Sequence, residues 1–282
     1  MTRALPTITC MSVAALAPVV TTLVLLELAA GATWTVWLGD LTGDASRGFS
    51  GTTALILAGV LGVDLILLAV LPDPADLLHR PVDAGAYAGY VHWTVGLAGA
   101  LLLWALFAWI GTDAARRVVG VVPALAAAVA LGRAASAFGS PLLGGHAALA
   151  ALIPATLLVG STLAGMLLGH WYLIAPDLSF RPLRRAVGLI FVTAALEALS
   201  LVVALFGADP DGRSRVLGDA SFWLLVVATG VGLTVAVNGL TLYFARIRAN
   251  QPATAMLYIL IISSLMGVVP GQLLYFSTRV PV

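Results

Sequence analysis

Eight long apolar stretches fill this chain, and nearly all of its charge lies between them. A helix needs about 20 apolar residues to cross the roughly 30 Å hydrocarbon layer of a bilayer. Segments at about 11–37, 51–72, 89–111, 118–138, 146–172, 185–207, 219–245 and 254–277 meet that requirement. The chain therefore reads as an all-α integral membrane protein: a polytopic bundle of about eight transmembrane helices forming a single domain over residues 1–282. Hydrophobic residues make up 61% of the sequence and charged ones 10%, far from the balance of a soluble domain. No stretch is long enough to fold as a separate aqueous unit. Any chemistry must come from the few polar residues inside the spans or at their ends, or from a partner.

The breaks between spans carry turn chemistry. They are Gly39-Asp40 through Arg47, Pro72-Asp73-Pro74, Gly139-Ser140-Pro141 with Gly144-Gly145, Pro176 to Pro182, Asp209-Pro210-Asp211-Gly212, and Asn250-Gln251-Pro252. The first run continues to about Trp37, too long for the apolar core of a cleaved signal peptide, so it is expected to remain as the first span. Arginine asymmetry sets the orientation. Alternate connections hold Arg47, Arg116, Arg117, Arg181, Arg184, Arg185, Arg246 and Arg248, whereas the opposite side holds Arg3, Arg80, Arg213, Arg215 and Arg279. The richer side is expected to be cytoplasmic, with both termini outside and a prokaryotic cytoplasmic membrane as the setting.

Composition excludes several functions. The 14 basic residues are all arginine, so there is no lysine for a retinal Schiff base or a GxxxxGK phosphate loop. Cys10 is the only cysteine and forms no disulfide, CxxC pair or iron–sulfur ligand set by itself. A net charge of +1 gives no sign of nucleic-acid binding.

Ionisable side chains within a bilayer are costly, and each is a candidate for function. His92 lies a few residues into the third span and His146 begins the fifth, both toward the outer side. His170 ends the fifth span, 24 residues or roughly 36 Å of helix from His146, and so marks the opposite interface. Arg133 is the arginine placed well within a span, about one turn from the outer end of the fourth. Two histidines on different helices can ligate a haem b iron from either face, with Arg133 pairing a propionate. The same three groups suit a quinone, the histidine bonding its carbonyl and the arginine polarising the ring oxygens. The bland alternative is that interfacial histidines beside tryptophan anchor helices at the headgroup layer and that Arg133 snorkels outward.

Glu27, Asp64 and Glu197 fall near the middle of the first, second and sixth spans. A carboxylate without a cation in hydrocarbon is expected to be held neutral or hydrogen-bonded. The three read as a proton path or ion site, or as interhelical hydrogen bonds like those expected of Asn238 and Gln272. Ser161, Gly165 and Gly169, four residues apart, read as a packing seam. No convincing internal repeat is visible. The dipeptides His92-Trp93 and His170-Trp171 sit at opposite ends of their spans, which raises an inverted duplication only faintly. His79, in the long connection 73–88, reads as a solvated loop residue.

Eight helices, outward termini and polar residues beneath the outer surface together resemble the membrane anchors of respiratory oxidoreductases, the polysulfide-reductase membrane subunit being nearest in layout. The resemblance lies in topology along the whole chain and transfers no residue. It implies quinone chemistry beneath the outer surface and electron exchange with other subunits of a complex, without requiring haem. Three functions are thus expected in order: a membrane electron-transfer subunit binding haem b, a quinone or both; a proton-coupled or small-solute transporter using the carboxylates; and a structural or assembly subunit.

Overall fold

A computed structural model of the protein describes residues 13–78, 81–139, 144–175, 179–280 and 282, with side chains described except at 13–15 and 144–147. Cys10, His79, Arg80 and the His146 side chain therefore lie outside the described residues. The structure is 89% helix, with no strand among those residues. Eight helices are long and apolar enough to cross a membrane, and the protein is an integral membrane protein. Their outer surfaces carry large exposed apolar side chains, Phe206 at 80% and Ile110 at 74% among them. That pattern suits lipid rather than water.

In chain order the elements are α1 (Val13–Leu41), α2 (Arg47–Val70), the short α3 (Pro74–Leu78), α4 (Ala84–Ile110), α5 (Asp113–Val119), α6 (Val121–Phe138), α7 (Gly144–Ile174), α8 (Arg181–Gly207), the short α9 (Pro210–Gly218), a π-helical stretch (Phe222–Leu233), α10 (Thr234–Arg246) and α11 (Asn250–Thr278). Short polar residues start several of them. Ser46, Asp83 and Thr112 each accept a backbone N–H from the first turn of α2, α4 and α5, satisfying donors that a helix start leaves open. Helices α5 and α6 form one span that begins at Asp113, earlier than the hydropathy of the sequence suggests. Arg116 and Arg117 thus ride on the span rather than in a connection.

The spans form two groups of four. In the first, α1 packs on α2, α2 on α4, α4 on α6 and α6 on α1. In the second, α7 packs on α8, α8 on α10, α10 on α11 and α11 on α7. The groups are joined chiefly by α1 against α7, with α6–α7 and α1–α11 contacts beside it. Because α1 and α7 are four spans apart they run in the same direction, so the structure has a parallel four-plus-four plan. No inverted duplication relates the halves.

Gly31 on α1 and Gly160 on α7 make the join possible. A methyl group added at Gly31 would lie 1.9 Å from the Thr156 carbonyl oxygen, and one at Gly160 would lie 2.1 Å from the Gly31 carbonyl carbon. Small residues allow such close backbone approach between helices in lipid. The Ser161/Gly165/Gly169 stripe is also a seam. The Ser161 hydroxyl meets that of Thr193 on α8 at 3.0 Å, and Gly165 and Gly169 face Leu257 on α11. Asn238 donates to the Val187 carbonyl at 2.9 Å, tying α10 to α8.

Candidate functional site

The deepest polar cluster is built around α1, the most enclosed span. Glu27 is fully buried and accepts the Gln272 Nε2–H from α11 at 2.6 Å. Glu197, from α8, is 7% exposed and close enough to Glu27 for their charges to interact. The three side chains line one cavity of about 30 Å³, together with Ser200, Tyr275 and small residues of α7. That volume admits one or two water molecules. Glu27 Oε1, Glu197 Oε2 and Gln272 Oε1 have no hydrogen-bond partner among the described residues. Buried polar atoms are seldom left so, and three on one small, largely apolar cavity can take a water molecule or a proton. Two carboxyl groups with unsatisfied oxygens can hold a proton between them and pass it to water.

On the other side of α1, Asp64 of α2 is also fully buried, and neither of its carboxyl oxygens has a hydrogen-bond partner among the described residues. The Tyr90 hydroxyl of α4 lies near Thr22 of α1 and interacts electrostatically with both Asp64 and Glu27, without meeting hydrogen-bond geometry to any of them. Thr22 and Glu27 are five residues apart on α1, about 7.5 Å of rise. Asp64, Tyr90 and Gln272 each lie six residues, about 9 Å, from the helix ends on the arginine-poor face, and Glu197 about 15 Å. Asp64 and Glu197 thus lie toward the arginine-poor ends of their helices, whereas Glu27 sits at the middle of α1; Glu27 and Glu197 face one cavity and Asp64 lies across α1. Tyr90 and Thr22 carried no signal in the sequence, where they read as ordinary span residues.

His92 and Arg133 sit on the bundle surface. The His92 ring takes its Nδ1 hydrogen bond to the Ala88 carbonyl of its own helix, at 2.6 Å. The alkyl part of Arg133 lies over Gly89, where an added methyl would approach its Cδ to 3.1 Å. Gly89 is one helical turn from His92, so α4 and α6 bring these two residues to one surface region. His146 opens α7, a neighbour of α6, and its side chain is outside the described residues. His170 is exposed at the arginine-rich end, with the Tyr258 hydroxyl 3.3 Å from its Nδ1. Among the described residues no group of three or more His, Cys, Asp or Glu side chains is arranged to hold a metal ion.

Among the described residues Arg116, expected in a connection, is the arginine that is buried. It is 3% exposed and lies 3.2 Å from Asp40, which is fully buried. Asp40 also accepts the Ser50 hydroxyl at 2.7 Å. Arg116 reaches Asp113 at 3.4 Å, and Arg47 reaches the same carboxylate at 2.7 Å. This chain of charges clamps α1, α2 and α5 together at the arginine-rich face. The sequence hint was Asp40 at the end of an apolar run with no adjacent cation.

No protein-family model, curated protein or solved structure matches the chain.

Proposed function

We propose that this chain is a proton-transferring membrane subunit, with Glu27, Glu197 and Gln272 as its working centre and Asp64 with Tyr90 as the second station across α1. The observation that carries this reading is the cavity with three unpartnered side-chain oxygens from two carboxyl groups and an amide. Burying such groups is expensive in lipid, and a structural role would be served by closing the hydrogen bonds. The connections are too short to build a redox or substrate-binding domain. What drives or uses the proton movement therefore belongs to the lipid phase or to partner subunits, in a prokaryotic cytoplasmic membrane.

The test is voltage-driven proton flux in liposomes containing the purified protein, followed with an entrapped pH dye. Wild-type protein is expected to conduct, and Glu27→Gln or Glu197→Gln to lower the flux at least tenfold while leaving the protein folded. A wild-type protein that moves no protons, or glutamine variants with undiminished flux, rejects the reading.

A second reading rests on the approach of Arg133 to Gly89, one turn from His92. In that reading the outer ends of α4, α6 and α7 bind a quinone or haem b, and the chain exchanges electrons with extrinsic subunits of a respiratory complex. Reduced-minus-oxidised spectra and quinone extraction test it. His92→Ala and His146→Ala should abolish a haem signal or stop quinone turnover, and a colourless, quinone-free preparation excludes it.

A further inference from the structure

A second concave feature lies at the other, arginine-rich face. A cavity of about 170 Å³ runs along α7, whose Ala164 and Leu168 form its floor, with Thr35 and Leu38 of α1 and Leu189 of α8 on its sides. It continues into a wider cleft of about 330 Å³ bounded by Trp171, Tyr172, Ser179 and Arg181. The two share Asp44, Ala45, Phe49, Leu168 and Pro182 and form one space of the size that holds small ligands, roughly 300–1,000 Å³.

Its two ends differ in chemistry. The inner end is almost wholly aliphatic, and Leu38 beside it is 47% exposed on the bundle surface, so a hydrocarbon chain reaches it from the bilayer without crossing polar ground. The outer end is cationic. The first turns of α8 contain Arg181, Arg184 and Arg185, and Asp44 of the first connection lines the same space. Arg185 pairs with Asp44, whereas neither Arg181 nor Arg184 has an ion pair among the described residues. Helix α8 starts at this point with no side-chain cap from Phe180, so its first N–H groups add to the positive field.

We infer that this groove holds one anionic glycerophospholipid, an acyl chain lying on α7 between α1 and α8 and the phosphate group at Arg181 and the start of α8. Charge complementarity decides the headgroup: basic pockets between helices at a membrane surface select anionic lipids. A neutral quinone or a zwitterionic lipid would gain less from the arginines than an anionic phosphate does. The site is independent of the proton reading, since it shares no residue with the Glu27 cavity.

The test is lipid titration of delipidated protein in neutral detergent, with dioleoyl-phosphatidylglycerol and dioleoyl-phosphatidylcholine as probes and bound lipid counted by intact-complex mass measurement. One saturable phosphatidylglycerol is expected, with phosphatidylcholine binding weaker. Arg181→Gln should weaken phosphatidylglycerol about fivefold, the weight of one surface arginine on an anionic lipid, and leave phosphatidylcholine unchanged. Ala164→Leu, which raises the floor, should weaken both. Equal binding of the two lipids, undiminished phosphatidylglycerol binding in Arg181→Gln, or a co-purified neutral quinone displaced by neither lipid would overturn the assignment.

Discussion

Gly31 and Gly160 meet backbone to backbone where α1 crosses α7, and this contact joins the two four-helix groups. No rotamer change relieves a methyl at either position, because the atoms it would strike belong to the opposing main chain.

Gly31→Ala and Gly160→Ala are therefore expected to destabilise the protein by at least the ~1–3 kcal/mol typical of overpacking, because α1 and α7 must separate. Gly59→Ala and Gly62→Ala on α2 serve as controls, since an added methyl meets nothing within 4 Å at either site. Thermal unfolding in detergent should show a clear drop for the first pair and little change for the second. Equal effects in the two pairs would refute the close crossing.

The Asp40–Arg116 pair predicts a different pattern. Both groups are buried, so removing Arg116 leaves Asp40 with the Ser50 hydroxyl alone, and removing Asp40 leaves Arg116 with only its 3.4 Å approach to Asp113, each at a cost of up to about 3–5 kcal/mol. Asp40→Leu and Arg116→Met should each be severely destabilised or fail to accumulate. The double variant should recover much of the loss, because neither charge then remains to be desolvated. Single variants with near-wild-type stability, measured by unfolding of detergent-purified protein, would show that the pair is solvated.

Much of this fold was legible in the sequence because span length and charge exclusion are strong signals. Eight spans, their connections and the Ser161 seam follow from hydropathy and from small residues at four-residue spacing. Glu27, Asp64 and Glu197 stand out because carboxylates are rare in lipid. Hydropathy cannot say which way a side chain faces, however. His92 and Arg133 turn out to be exposed, while Arg116, beside a break in hydropathy, is buried. The four-plus-four plan is a property of helix neighbours and leaves no matching residue pattern. Its joining glycines look like any others in a sequence with 29 of them.

The Glu27–Gln272 hydrogen bond should appear as coupling between α1 and α11. Glu27→Leu leaves the Gln272 amide without its acceptor, and Gln272→Leu leaves Glu27 without its donor. The double variant removes both needs together. Each single change is expected to cost about 1–2 kcal/mol, the usual range for such bonds between helices in lipid, and the double variant less than their sum. Strict additivity would mean that the two groups are satisfied by water in the cavity and not by each other.

Eight spans put both termini on one side, and the eight-to-five division of arginine predicts that this side is outside. Three of the arginines on the richer face are committed to ion pairs: Arg47 with Asp113, Arg116 with Asp40 and Arg185 with Asp44. Acidic residues contribute little to the sorting signal, so the arginine count still sets the expectation. With Cys10 replaced by serine, a single cysteine at Asp76, on the exposed-terminus side, should react with an impermeant thiol reagent added to intact cells. A single cysteine at Gln251 should react only after the membrane is opened. The reverse labelling would invert the protein, turning the Gln272 side of the carboxylate cavity toward the cytoplasm and the lipid groove toward the outer leaflet. Labelling of both sites in intact cells would contradict an odd number of spans between them.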